Sequence, residues 1–500
     1  MNVTDYSVYV DSISDKTLFF DFWKLPYSTN NQFDANASII NGTGFRAEYN
    51  SSIVLLEGNG KPRLYRLANG ISIFAKIRKL HEFPDNLEVI TPVLDQKSNV
   101  ISHILRDTKN KVVYLPFSPD EVLDSFYFEK YLGGTRKTFL PRHALNLYYS
   151  VKSIIPQSII TQARIGLTKI QRRRDFPSWP FESSLEDFKH FIMLLLLSVS
   201  KTQALPFIWF WPNSKQVSLL LTHDIESGLK NNGGIDRIIA AERKHRFKSA
   251  FNVVPFKYHI DEEVIDDMKS CGCEIGVHGY SHDSKLFSNY EIFERRVKDI
   301  NRIAKKWGAV GFRSASTYRN PYWCKLMEFD YDCSFFDTDP YEPQPGGCLS
   351  LFPYFIGNLV EIPITMPQDY TLFVLLKQKD IGMWYKKAQE IRKRNGMMCL
   401  IAHPDEGYIG DEDKEKHYIE FLDSVSRDPT IWNPLPKDLA YWWKCRHTAK
   451  IVVRDNSIQI EGGTPEMSIK WAKVVDGELS FEENLEMTPM SSINQDIHRR

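Results

Sequence analysis

The sequence predicts an α/β protein: a parallel-stranded domain over 213–440, with a strand-rich part and a helical part before it and a small β appendage after it. Two observations predict this. Between about 215 and 430, apolar runs of strand length (VSLLL, SAFNVV, CEIGV, GAVGF, LVEIPI, MMCLIA) are separated by amphipathic helix patterns, the alternation expected of parallel strands joined by helical crossovers. Outside that range the period changes. Residues 1–115 alternate short β-rich runs (SVYV, SIVLLE, ISIFAKI, LEVITPVL, KVVYLPF) with Asn, Gly, Asp and Ser breaks, which predicts a strand-rich N-terminal domain. Over 116–212 the spacing becomes helical, with Leu185, Phe188, Ile192, Leu195, Leu196 and Val199 on one face, and Ser183 with Glu186 has the form of a capping box. That stretch is expected to be a helical connector. After the central domain, AKIVV, SIQI, SIKWAKVV and ELSF are broken by Asp-Asn, Gly-Gly and Asp-Gly turns, so 441–482 is expected as a β appendage and 483–500 as a disordered tail.

Composition narrows the class. A chain of 500 residues with 42% hydrophobic and 25% charged residues has the apolar content of a folded protein, which excludes wholesale disorder. Sixty-three basic residues balance sixty-three acidic ones, so no global field draws the protein to nucleic acid, and no nucleic-acid partner is expected. The N-terminus MNVTDYSVYV has an acid where a secretory peptide needs a basic start, so no signal peptide is expected. The longest aliphatic stretch, Phe191 to Leu197, is far short of the roughly 20 apolar residues that cross a bilayer. It predicts a buried helix. Seven scattered cysteines, with only Cys271 and Cys273 close together, suggest a reducing cytoplasmic compartment.

The strongest chemical signal is His278-Gly-Tyr-Ser-His282, directly after the strand-like CEIGV. On a helical turn, two imidazoles at this spacing project from one side and reach one metal. A second strand-like run, VSLLLT, ends in His223-Asp224-Ile225-Glu226, where Asp224 and Glu226 share a side if the strand continues. One carboxylate can then ligate while the other takes a proton. The competing reading makes these acids a surface turn, or a helix cap with Ser227.

At these residues the chain resembles the polysaccharide deacetylase family, the NodB-homology domain of carbohydrate esterase family 4. The resemblance covers about 215–430. Its motifs appear in order: Thr222-His223-Asp224-Ile225-Glu226 for Thr-Phe-Asp-Asp-Gly; His278 to His282 for His-Ser/Thr-x-x-His, with Gly279 in place of the hydroxyl residue; Arg313-Ser314-Ala315 for Arg-x-Pro; Asp332 to Phe336 for Asp-x-x-x-Trp; and Leu400-Ile401-Ala402-His403 for Leu-x-x-His. The resemblance implies a NodB-type deformed (β/α) barrel. It implies Glu226, His278 and His282 as ligands of zinc or another divalent transition metal, with Glu226 standing in for the second Asp of the motif, whose place Ile225 occupies. It further implies Asp224 as general base, His403 as the acid that protonates the leaving amine, Asp332 as the residue that orients His403, and Arg313 as the residue that holds Asp224. Exchange of roles between Asp224 and Glu226 is the alternative. Taken without the motifs, His403 also fits a hydrogen-bonded core histidine, Arg313 a structural ion pair and Asp332 a turn acid. Tyr318-Arg319-Asn320-Pro321, Leu359 to Pro363 with Gln368-Asp369-Tyr370, and His403-Pro404-Asp405 resemble a subgroup associated with glycan biosynthesis, as does the upstream Phe176-Pro177-Ser178-Trp179-Pro180 with Leu205-Pro206-Phe207.

The function this implies is metal-dependent N-deacetylation of an N-acetylated sugar, and a cytoplasmic location selects a nucleotide-linked or lipid-linked precursor of a surface polysaccharide. A lipid-linked substrate would bring the protein to a membrane surface without a transmembrane segment. The alternatives are hydrolysis of a cyclic amide or ureide on the same scaffold, and a non-catalytic glycan-binding protein with a degraded site. Two features stand outside the motifs. Lys169, Arg172, Arg173 and Arg174 form the one dense basic run, expected as a solvated helix end, with binding of a diphosphate as the alternative. Trp209, Phe210 and Trp211 are expected in the core, with sugar stacking as the alternative.

Overall fold

The computed structural model describes residues 18–25, 28–30, 39–43, 50–56, 58, 60–80, 82–83, 85–134, 157–171, 176–200, 204–230, 232–454 and 457–483. The expected tail from 484 onward and the basic residues 172–174 lie outside them, while Lys169 falls on the helix Gln157–Gln171. The chain forms two compact units, one of 1–131, 183–214 and 445–500 and the other of 132–182 and 215–444. The stretch 116–212, expected as a connector, contributes to both. Among the described residues no helix is long and apolar enough to cross a membrane.

In the first unit, β1 (Ser28–Asn30), β2 (Ile39–Thr43), β3 (Asn50–Leu55), β4 (Arg63–Leu67), β5 (Ser72–Ala75), β6 (Glu88–Leu94), β7 (Val100–Asp107) and β8 (Val112–Leu115) make one sheet in the order β1-β2-β3-β8-β7-β6-β4-β5. The pairing is antiparallel except between β3 and β8. The helix Ser184–Val199 packs on it and buries Leu185, Phe188, Ile192, Leu195, Leu196 and Val199, the face its spacing predicts. The capping box does not form: Ser183 is helical in backbone and makes no side-chain cap, and Glu186 turns inward to pair with Lys189 at 2.7 Å. A buried carboxylate facing an ammonium is the stronger claim on that side chain. After this helix comes β9 (Ala204–Ile208), followed by Trp209, Phe210 and Trp211, all buried. Trp209 packs against Phe481 with ring centroids 5.7 Å apart, so these aromatics are core and are covered from any sugar.

The second unit holds β10 (Val217–Ile225), β11 (Ser249–Val253), β12 (Glu274–His278), β13 (Gly311–Arg313), β14 (Tyr331–Asp332), β15 (Tyr354–Ile356), β16 (Leu359–Glu361), β17 (Met397–Ala402) and β18 (Ile431–Trp432). The order is β15-β16-β14-β13-β12-β11-β10-β17, parallel throughout except for β15 against β16, with β18 also beside β10. Every residue of β10, β11, β12 and β17 is buried, as strands covered on both faces require. The chain after β16 closes the sheet. Ile364 N donates to Phe335 O at 2.7 Å, and Thr365 N and Met366 N donate to Cys399 O of β17 at 3.2 and 3.0 Å. The result is a deformed (β/α) barrel, the fold class the sequence predicts, whose parallel strands, all but β15, deliver their C-terminal ends to one face.

The first unit is completed by β19 (Lys450–Arg454), β20 (Ser457–Glu461), β21 (Ile469–Val475) and β22 (Glu478–Glu482). The C-terminal strands do not stand alone: β21 pairs antiparallel with β9, from Ile469↔Ile208 to Lys473↔Ala204.

Candidate functional site

Four strand ends build the site. β10 runs Thr222-His223-Asp224-Ile225, and its alternation sends Asp224 to one side and Ile225, fully buried, to the other. Glu226 follows as the first residue past the strand, its side chain about three-quarters covered at 24% exposure. β12 ends at His278, β13 at Arg313 and β17 at Ala402, with His403 next.

The two histidines of the HxxxH pair come together without a helical turn, which corrects that expectation. His278 is the last residue of β12, and the chain then reverses through left-handed residues, Gly279 at φ 64° and His282 at φ 56°. The imidazole centroids end 5.1 Å apart. A Cβ at Gly279 would stand 3.1 Å from the backbone N and Cβ of Ala315, so a hydroxyl residue there would meet both strain and contact.

Around this turn the polar atoms converge. Glu226 Oε1 lies 2.8 Å from His282 Nε2 and 4.0 Å from His278 Nε2, and the three prospective ligand atoms all lie within 4.8 Å of one another. His278 Nδ1 faces the carbonyl of Arg313 at 3.2 Å, which makes Nδ1 the donor and leaves the Nε2 lone pair directed at the cluster. Both Nε2 atoms are buried without a hydrogen bond of acceptable geometry. Burial also pushes the His282 pKa down, against the pull of Glu226, and so favours the neutral ring. Two buried Nε2 atoms without hydrogen bonds of their own and a carboxylate, converging within 4.8 Å, fit a divalent transition cation.

Asp224 is fixed on two sides. Its Oδ1 accepts from Arg313 Nη1 and from Asn252 Nδ2, each at 2.9 Å, while Oδ2 faces His278 Nε2 at 3.7 Å. Burial alone would raise its pKa, but Arg313 above all, with His278 and His403, holds it at about 2. Arg313 is itself immobilised, through Nε to Cys333 O at 2.8 Å and Nη2 to Thr222 Oγ1 at 2.9 Å. Glu226 is likewise held well below the usual carboxylate range, since His282 and His278 outweigh its burial.

His403 reaches the cluster from the other side, with Nε2 3.9 Å from Glu226 Oε1. Its Nδ1 is bonded to Asp369 Oδ1 at 2.7 Å, and Asp369 Oδ2 accepts the His403 backbone N–H at 2.8 Å. Burial opposes charge on the ring, but Asp369, with Glu226 and Asp224, raises its pKa to about 10.

Asp369 therefore takes the place expected of Asp332. The reason is strand parity. In the β13–β14 register Asp332 lies opposite Phe312, on the face away from Arg313, and it is Cys333 that meets the Arg313 guanidinium, at 2.9 Å from Nη2. Asp332 sits fully buried behind the sheet, accepting from Ser334 Oγ at 2.5 Å, and in register with Glu361 of β16. Burial pushes Asp332 up to about 6 and, with Asp332 beside it, Glu361 well above its ordinary value, while the imidazole has its bond with Asp369 instead. Besides Asp369, sequence reasoning passed over Asn252. A lone Asn inside the apolar run SAFNVV was its signal; Asp369 was visible only as part of Gln368-Asp369-Tyr370, with no role attached.

No family model matches the chain and no curated protein sequence is similar to it. Among solved structures it is similar to one named as a polysaccharide deacetylase from Mycobacterium smegmatis, at 17% identity over 49% of this chain and 96% of that one, TM-score 0.40. It is similar also to Puue allantoinase, at 15% identity over 47% of this chain and 92% of that one, TM-score 0.39. A third is the peptidoglycan deacetylase PdaC from Bacillus subtilis, at 14% identity over 46% of this chain and 92% of that one, TM-score 0.31. Likenesses this distant leave the function to be read from the site.

Proposed function

We propose that this protein is a metal-dependent N-deacetylase that hydrolyses the acetamido group of an N-acetylated sugar. The supporting observation is the convergence of Glu226, His278 and His282 between an ionised Asp224 and a protonated His403, at the strand ends of the barrel. Glu226, His278 and His282 would hold the cation, for which zinc is the usual occupant of such ligands. When bound, the cation supplies Lewis acidity and positive charge where negative charge develops.

The chain's own residues perform the proton transfers. Asp224, fixed by Arg313 and Asn252, accepts a proton from the water that adds to the acetamido carbon. Its low pKa keeps it ionised and ready at neutral pH. As the C–N bond breaks, His403 gives the proton on Nε2 to the departing amine, and Asp369 stabilises the imidazolium until then. The products are acetate and the free amino sugar. The choice of an N-acetylated sugar rests on the ordered motif resemblance, and its carrier, nucleotide or lipid, on the expected cytoplasmic location. The test is acetate release by the zinc-loaded protein from a panel of N-acetylated nucleotide sugars and lipid-linked sugars. Turnover on at least one supports the proposal, and no acetate from any of them contradicts it.

A further inference from the structure

Glu226 is an exposed weakness of this site. β10 ends at Ile225, and its pairing with β17 ends two residues earlier still, at His223↔Ala402, so the backbone that carries Glu226 has left the ladder. A carboxylate on an unpaired segment swings with that segment. The structure supplies a replacement for the missing ladder bonds. Asp405 Oδ2 accepts the Glu226 backbone N–H at 2.8 Å, and Oδ1 accepts the Ser227 backbone N–H at 3.0 Å. The Ser227 hydroxyl also donates to Oδ1, and Asn232 Nδ2 does so at 3.1 Å. Asp405 is 3% exposed, so its carboxylate is largely shielded from competing water, while Ser227 at the other end is exposed.

The segment bearing Asp405 is itself clasped. A Cβ on Gly234 or on Gly410 would fall 2.0 Å from Pro404 O, so both positions need glycine for the Pro404 carbonyl to lie where it does. His403-Pro404-Asp405 thus fixes two things within three residues: the imidazole on one side of the cluster and the Glu226 backbone on the other.

We infer that Asp405 is a positioning residue that holds Glu226 in place as a metal ligand, by binding the backbone amides of Glu226 and Ser227. The inference rests on the proposed metal site, and it explains how a glutamate beyond the strand end serves where Ile225 stands in place of a second acid on the strand. Carboxylates are strong acceptors for backbone N–H groups, and two such bonds from consecutive amides fix the local chain direction. Loss of an outer partner of a metal ligand typically weakens metal binding by about 10–100-fold.

The test compares Asp405→Ala, Asp405→Asn and Glu226→Gln with the wild-type full chain by two readouts. One is zinc affinity, by competition with a chromophoric chelator. The other, on zinc-free protein, is amide hydrogen exchange at Glu226 and Ser227, with the melting temperature as the check on folding. Asp405→Ala is expected to bind zinc about 10–100-fold more weakly and to exchange faster at both amides, with Asp405→Asn, which keeps one acceptor oxygen, between it and wild type. Should Asp405→Ala not fold, Asp405→Asn carries the comparison. Wild-type zinc affinity in the Asp405 variants, alongside weakened binding in Glu226→Gln, overturns the inference. If wild type itself binds no zinc, the metal reading falls, and the clamp is then judged by exchange alone: unchanged exchange in the variants overturns it too.

Discussion

Replacing Asp369 by Asn removes the anion that touches His403 Nδ1 and keeps the size of the side chain. In the metal-free protein the His403 ring titrates at about 10, and Asp369 is the foremost cause of that elevation against burial. Without Asp369 the ring pKa falls, because burial disfavours the charge and only Glu226 and Asp224 still favour it. At pH 8 the ring, nearly all protonated in the metal-free wild type, then loses part of its protonated population. Lost orientation adds to this, toward the roughly 10²–10⁴-fold contribution of a positioned general acid. The deficit has a sign in pH: small at acid pH, where the ring is protonated with or without Asp369, it grows as pH rises toward 10. A bound cation lowers the wild-type ring pKa from its metal-free value and leaves that sign unchanged. The same elevation is also a contribution to stability, fully present below pH 6.5 and lost as pH rises through about 10. The assay is acetate release from pH 6 to 10 by wild type, Asp369→Asn and Asp332→Asn at saturating zinc. Asp332→Asn is expected to stay near wild type, since that carboxyl lies opposite Phe312, accepts from Ser334 and is not the partner of the His403 ring. A pH-dependent loss in Asp332→Asn, with Asp369→Asn near wild type, would refute the reasoning.

Two further perturbations separate the acids and test the support of the base. Asp224→Asn should retain zinc and lose about 10²–10⁴-fold in turnover, whereas Glu226→Gln should weaken zinc binding; chelator competition and acetate release together show which occurs, and the reverse pattern exchanges their roles. Gly276→Ala places a Cβ 2.2 Å from Asn252 Oδ1 and so displaces the amide that donates to Asp224. It should lower stability by about 1–3 kcal/mol and reduce turnover with zinc binding intact, read by thermal unfolding and metal analysis.

The barrel was legible because its strands are buried on both faces, so each appears as an unbroken apolar run, and the polar residues that end those runs stand out. Asp224, Glu226, His278, Arg313 and His403 are all such endings, and the structure brings them together. His282 was named for its spacing, yet the turn that delivers it depends on left-handed backbone at Gly279 and His282, which a histidine does not announce. Asp332 was misplaced because β14 is two residues long and no periodicity in so short a strand shows which face a side chain takes. Asp369, at the N-cap of the helix Tyr370–Leu375, and Asp405 both lie beyond the strands and bond in part to backbone amides, and such bonds leave no pattern of residue types. The pairing of β9 with β21 joins segments that lie on either side of the entire barrel sequence, so local pattern divides the chain where the fold does not.

The central claim is that Glu226, His278 and His282 hold one catalytic metal ion, and reconstitution tests it most directly. Zinc is added stepwise to the metal-free protein and to the His278→Ala/His282→Ala variant while acetate release is followed. The wild-type rate should climb to a plateau at one equivalent of zinc, and the folded variant should neither bind that equivalent nor release acetate. Full activity of the metal-free protein in excess chelator, or undiminished stoichiometric zinc in the variant, would contradict it.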